Sequence, residues 1–310
     1  MNTTIDRVCR RIDWEGDNES GPPPADPAKS ERDERTAAQE RYSAYLSSGA
    51  DRPRGSVVAC PVRAPADPIC EPAGSGPTVA FLKEAGDTDE VDPRDVTQGP
   101  LGDCYLMVSL AGLARSPEGR ALLRNAIVEN KNDAGQVVSY TVTLHEPERH
   151  LFSPTTFREV QVTVDGSFGC WHAVPRADAP AGVKETWPLV IEQAYAQRFG
   201  GYQAIGGGGL AVTALEAVTG RGAEHTMPRW LGGFDRAALA NQVANGKVVV
   251  LGTKDGATKL VGRHAYLVTD TKMEGGKLYV DLHNPWGCDM PHVAFEDIED
   301  SIQWVDVGAP

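Results

Sequence analysis

The sequence predicts an α+β fold arranged as two lobes with a cleft between them. Three observations lead there. Between about Val79 and Gly220 the apolar residues recur mainly at helical spacing. From Val248 to Val307 they fall instead into short runs rich in Val, Ile and Tyr, the mark of strands. A helical half followed by a strand-rich half is the pattern of an α+β architecture, and clefts between such halves are where sites form. The expected organisation is a weakly ordered or linker-like extension over 1–78, a helical lobe over 79–220 and a β-rich lobe over 221–310.

In chain order, the extension is rich in Pro, Asp, Glu, Arg, Ser and Ala. Gly21-Pro22-Pro23-Pro24 and the proline-rich stretch from Pro61 to Pro68 resist regular structure. Ser30 to Leu46 is the one stretch in it with an amphipathic pattern, carried by Ala37, Ala38, Tyr42, Tyr45 and Leu46. After Val79, helices are expected over Cys104–Leu113 and Glu118–Asn130, and strands over Val137–His145 and Val160–Val164. Trp187–Phe199 places Leu189, Ile191, Ala194, Tyr195 and Phe199 at helical spacing. Gly206 to Gly209 breaks the chain, Leu210–Thr219 resumes as a helix stopped by Gly220, and Asp235–Asn245 is a further helix. Four strands close the chain: Val248–Leu251, Ala265–Thr269, Lys277–Leu282 after a Gly275-Gly276 hairpin turn, and Ile302–Val307.

The bulk composition removes some functions. With 310 residues, 41% of them hydrophobic, the chain can bury a substantial core. Its net charge of −13 argues against nucleic acid as a partner, because phosphate binding needs a basic face. No apolar run approaches the ~18 residues of a membrane span, and the N-terminus has no signal-peptide core. The six cysteines, Cys9, Cys60, Cys70, Cys104, Cys170 and Cys288, show no close pairing and do not read as a disulfide framework. The expected location is cytoplasmic, or secreted without a cleavable signal. Usage of Ala, Gly, Arg and Asp suggests a bacterial protein, with a secreted effector or toxin as one role.

The chemistry is concentrated in three places. Gln98-Gly99-Pro100-Leu101-Gly102-Asp103-Cys104 puts a cysteine after a glycine-rich turn and at the start of an apolar helix, where the helix dipole favours the thiolate. Gln98 can offer a side-chain N–H to an oxyanion beside that sulfur. His264 begins a strand, in Gly262-Arg263-His264-Ala265-Tyr266, and Asn284 ends one, in His283-Asn284-Pro285-Trp286-Gly287. On neighbouring strands the asparagine carbonyl can accept the imidazole N–H and orient the ring toward a thiol. Cys, His and Asn follow one another in the order found in papain-like proteases. Taken singly, such residues are more often structural; their combination is what points to catalysis.

The chain resembles the calpain-type cysteine proteases of the papain-like superfamily. The nucleophile stretch Gln98–Cys104 is similar to that family's motif. The segment KETWPLVIEQAYAQRFGGYQAIGGGG from Lys184 to Gly209 resembles the family's tryptophan-to-glycine segment, and Ala217-Val218-Thr219-Gly220, His264-Ala265-Tyr266 and Asn284-Pro285-Trp286-Gly287 follow in the family's order. The resemblance covers about 88–307. It implies a papain-like two-lobe fold and peptide-bond hydrolysis in protein substrates through an acyl-enzyme. Cys104 is then the nucleophile, His264 the general base, Asn284 the orienting group, Gln98 an oxyanion-hole donor and Trp286 a tryptophan lining the site.

By the same resemblance no cofactor is required for the chemistry, while Ca²⁺ is possible, with Asp95 and Glu192 as the matching carboxylates. The acidic loop expected after Asn284-Pro285-Trp286-Gly287 is absent, Cys288-Asp289-Met290-Pro291 standing in its place. Tyr105 stands where the family has tryptophan, Arg263 where it has glycine, and His283 where arginine is common. Two alternatives remain beside the endopeptidase: an inactive papain-like binding module, and a transglutaminase or deamidase of the same superfamily.

Overall fold

The computed structural model describes residues 78–83, 87, 89–99, 101–149, 154–166, 168, 184–228 and 233–310. The expected extension, with its amphipathic Ser30–Leu46 stretch, lies outside the described residues except for Thr78.

Helix α1 (Cys104–Ala114) is buried along its whole length. An unbroken apolar run has no solvent face to offer, so it becomes the central helix. Ser109 is tolerated inside it because its hydroxyl donates to the Tyr105 carbonyl, 2.7 Å away. Helix α2 (Pro117–Asn125) begins on Ser116, whose Oγ accepts the Gly119 N–H at 2.9 Å. It stops five residues before the expected end. Ile127–Lys131 is strand β2 instead, paired antiparallel with β3 (Val137–Glu148). The β-branched Ile127 and Val128 gain cross-strand partners in Val142 and Thr141, and this outweighs the helical tendency of the segment before them. Strand β4 (Thr156–Val164) completes a three-stranded sheet ordered β2-β3-β4.

A short parallel pair, β1 (Thr78–Val79) and β5 (Lys184–Glu185), leads into α3 (Trp187–Arg198), with Pro188 in its first turn. Helices α4 (Tyr202–Ile205) and α5 (Ala211–Thr219) follow. The left-handed Gly220, φ 65°, ends α5 as the sequence anticipates.

The second half is a six-stranded antiparallel sheet ordered β10-β9-β8-β7-β11-β6. Its members are β6 (Glu224–Thr226), β7 (Val248–Thr253), β8 (Ala265–Glu274), β9 (Lys277–Asn284), β10 (Cys288–Ala294) and β11 (Ile302–Gly308). Gly275 and Gly276, at φ 57° and 80°, make the β8–β9 turn. The expected strands are all present. The two edge strands, β6 and β10, were not anticipated. All three residues of β6 are exposed, so no apolar signal marks it. Pro291 and a bulge between Met290 and Val293 disguise β10, and an edge strand tolerates both. Helix α6 (Arg236–Ala244) is capped by Asp235, and the short α7 (Phe295–Ile298) links β10 to β11.

The sheet is covered on both faces. Alternate residues of β7 divide between two cores: Val248 and Val250 join α1, α3 and α5, whereas Val249 and Leu251 join Phe234, Leu239 and Phe295. A strand buried on both sides reads as a continuous apolar run, which is what Val248-Val249-Val250-Leu251 is. Asp306 of β11 ties the halves together. It is fully buried; its Oδ2 accepts the Val212 N–H of α5 at 2.7 Å, and its Oδ1 lies 2.6 Å from His225 Nδ1.

The cysteines depart from expectation at one point. Cys288 is disulfide-bonded, its partner lying outside the described residues, and Cys104 is a free thiol. Spacing along the chain carries no information about pairing between distant cysteines. Among the described residues no helix is long and apolar enough to cross a membrane.

Candidate active site

Cys104 is the first residue of α1 and is 6% exposed. Its position follows from the loop before it. A Cβ on Gly102 would stand 2.3 Å from the Gly206 carbonyl oxygen, and one on Gly206 would stand 2.5 Å from Leu101 Cδ1. A Cβ on Gly209 would meet the Tyr105 ring at 2.5 Å. Gly206 and Gly209 are therefore where the loop before Cys104 and the first turn of α1 are seated, beyond the run's role as a break between helices. At the end of that loop the first-turn N–H groups of α1 face out of the helix, so the thiol and the donors for an oxyanion share one place.

Tyr105 replaces the expected tryptophan and keeps its packing. Its ring meets Tyr195 edge-on, with centroids 6.3 Å apart. Burial, followed by the contact with the Tyr195 hydroxyl, holds the Tyr105 phenol far above its ordinary range, so it stays neutral.

His264 and Asn284 are each 2% exposed and lie on the adjacent strand ends of β8 and β9. His264 Nε2 is 3.0 Å from Asn284 Oδ1, and the same oxygen accepts the Trp286 backbone N–H at 3.1 Å. An amide oxygen only accepts, so Nε2 carries the hydrogen, and Nδ1 is the basic nitrogen of the neutral ring. Trp286 covers the ring at a centroid distance of 4.4 Å, and Tyr266 closes the other side at 5.1 Å, perpendicular. These aromatic walls keep water from the His264–Asn284 bond.

The backbone of His264 is fixed by Thr253 on β7. His264 N–H donates to Thr253 Oγ1 at 2.9 Å, and Thr253 N–H donates to the His264 carbonyl at 2.8 Å. Nothing in the sequence marks Thr253, because its partner is eleven residues away on another strand. The neighbouring Arg263 adopts φ 49°, in the left-handed region where a glycine would be relaxed.

A backbone bond joins the two parts of the site. The Gln98 backbone N–H donates to the Pro285 carbonyl at 2.8 Å. This couples the nucleophile loop to the turn that carries Asn284. The Gln98 side chain is buried and donates one amide hydrogen to the Leu101 carbonyl at 2.6 Å. An amide has two such hydrogens, so one remains for a substrate oxyanion.

The two carboxylates matched to calcium have other surroundings. Asp95 ends a 3₁₀ turn (Pro93–Asp95), and its Oδ2 accepts the Asp92 N–H at 2.6 Å and the Trp187 Nε1–H at 3.0 Å. Arg94 pairs with Asp87 at 2.9 Å and with Asp92 at 2.8 Å. Burial, reinforced by the charges of Asp87 and Asp92 against the two hydrogen bonds, raises the Asp95 carboxyl to about 7. Glu192 is fully buried on α3, and its charge, after burial, helps raise the Tyr202 phenol. Among the described residues no group of three or more His, Cys, Asp and Glu side chains converges as a metal site. Two carboxylates alone do not complete the six to eight oxygens of a calcium shell.

The raised Asp95 carboxyl has a direct consequence for stability. A folded value near 7 against an ordinary 3.8 means that the folded chain holds the proton more tightly. Ionising Asp95 therefore costs stability as pH rises from about 4 through 7, with a slope of up to about 1.4 kcal/mol per pH unit. Asp95→Asn should flatten this slope. Urea midpoints measured between pH 4 and 8 check it, and parallel profiles for both proteins would refute it.

A cysteine at a helix start, a histidine bonded to an asparagine, and a buried glutamine tied to the turn after that asparagine are features expected of a cysteine protease. The profile of the calpain family cysteine protease matches residues 82–308, and the chain belongs to that family. Among its relatives, the chain is 26% identical over 210 residues to the Arabidopsis thaliana calpain-type cysteine protease DEK1, covering 64% of this chain and 9% of that protein. It is 28% identical over 207 residues to Caenorhabditis elegans calpain clp-1, covering 62% and 25%. It is 29% identical over 213 residues to the Gallus gallus calpain-1 catalytic subunit, covering 62% and 28%. The chain thus spans between 9% and 28% of the length of these relatives.

Proposed function

We propose that the chain cleaves peptide bonds in protein substrates by a Cys-His-Asn mechanism. The observation that carries this is the His264 Nε2–Asn284 Oδ1 bond, 3.0 Å long, buried beneath Trp286 and joined to the nucleophile loop through Gln98 and Pro285. His264 takes the Cys104 proton at Nδ1, and the imidazolium is held by Asn284. The thiolate adds to the substrate carbonyl, and the oxyanion accepts N–H groups from the start of α1 and from Gln98. Collapse of that adduct expels the amine, which takes its proton from His264. Water, deprotonated by the same ring, then frees the acyl group from sulfur.

Labelling of Cys104 by the epoxide E-64, together with cutting of a denatured protein substrate, tests this proposal. Absence of both favours the binding module. Release of ammonia from glutamine side chains without chain cleavage favours the deamidase. A secreted effector role would rest on composition alone.

The proposed steps require no metal, while Ca²⁺ stays a possible regulatory ion. Calcium at Asp95 and Glu192 would need most of its oxygens from the backbone, and the expected result is equal activity in excess EGTA and in millimolar Ca²⁺. A rise of about tenfold or more with calcium would instead assign the two carboxylates to a regulatory ion.

A further inference from the structure

The loop between β7 and β8 delivers the catalytic histidine. The whole chain has a net charge of −13, yet from Lys254 to Arg263 this loop sets three cations, Lys254, Lys259 and Arg263, against a single anion, Asp255. Arg263 ends the loop and abuts His264. It is half-buried, and among the described residues its guanidinium makes no ion pair.

Its mount is rigid. Thr253 Oγ1 donates to the Val261 carbonyl at 2.6 Å, the Val261 N–H donates to the Tyr266 hydroxyl at 3.1 Å, and the Arg263 N–H donates to the Lys254 carbonyl at 3.4 Å. Arg263 is nevertheless held at φ 49°, a conformation that L side chains adopt at a cost and glycine adopts freely. Strain kept at the residue beside a catalytic base marks a side chain with a task at the site.

A partly buried guanidinium without a carboxylate is under-solvated. A substrate carboxylate brought beside it would form a bidentate, charge-assisted pair. The scissile bond must lie between Cys104 and His264, so the substrate side chains flanking it pass the residue next to His264. We propose that Arg263 is a specificity-determining residue that selects an Asp or Glu side chain close to the scissile bond. This rests on the endopeptidase reading above and gives it a substrate class: protein segments carrying an acidic residue near the cut.

The test is cleavage of a mixed peptide library, with the cut sites mapped by mass spectrometry, for the parent protein, Arg263→Gln and Arg263→Lys. The parent should enrich Asp and Glu within three positions of the cut by about tenfold over Asn and Gln, the size expected for one charge-assisted pair. Arg263→Gln should lose the enrichment, and Arg263→Lys should keep part of it. The ratio of acidic to amide peptides cut is the readout, so a general loss of rate does not mimic the effect. An unenriched parent profile, or an enrichment that survives in Arg263→Gln, overturns the role of Arg263 and leaves the protease intact. No cleavage by the parent, with no E-64 labelling of Cys104, overturns the protease proposal and this one with it.

Discussion

Replacing Cys104 with alanine is expected to lower peptide-bond cleavage by about 10⁴-fold or more, since removing the nucleophile removes the covalent route altogether. Cys104 is the sole free thiol among the described residues, so the same variant should lose E-64 labelling there. The side chain lost is small, and alanine keeps its Cβ in the core, so folding should change little. Matching circular dichroism and urea midpoints would confirm that, and would separate loss of chemistry from loss of structure. A Cys104→Ala protein that still cuts substrates at the parent rate would mean that catalysis lies elsewhere in the chain.

Gly102→Ala is the second large effect, and it acts through the backbone. The added methyl would lie 2.3 Å from the Gly206 carbonyl oxygen. No side-chain rotation relieves that contact, so either the nucleophile loop or the glycine run must move. Overpacking of this kind costs about 2 kcal/mol of stability. The larger consequence is for rate, because displacing the thiol by about 1 Å from its line with the base costs on the order of 10² in turnover. The expected signature is a fall in kcat with KM little changed, measured on one fluorogenic peptide. A Gly102→Ala protein with parental kcat would show that the loop is not seated on Gly206. Gly207→Ala is the comparison, since its nearest contact to an added Cβ is 3.5 Å, an ordinary van der Waals distance.

Much of this site was legible from single-residue patterns. The cysteine at the start of an apolar run, the histidine at a strand start and the asparagine before a proline each carry a local signal, and the structure places His264 and Asn284 in contact. The long helices and the interior strands were also legible, because burial on one or both faces imprints a period on the sequence. What escaped was everything decided by a distant partner. Residues Ile127–Lys131 look like the end of a helix until β3 is present to pair with them. Strand β6 has no apolar side chain and exists through its backbone bonds to β11. Thr253 is an unremarkable threonine until His264 is folded against it. The four glycines after α4 read as a break, whereas in the folded chain two of them, Gly206 and Gly209, are close contacts for Leu101 and Tyr105.

The bond from the Gln98 amide to the Pro285 carbonyl also provides a built-in gauge. Its hydrogen sits between the loop bearing the sulfur and the turn bearing the asparagine, and it can be exchanged for deuterium only when those two pieces part. The exchange rate at this single amide therefore counts how often the catalytic apparatus comes undone, without any substrate present. An inhibitor that bridges the two sides should slow that clock, and a ligand that pries them apart should speed it.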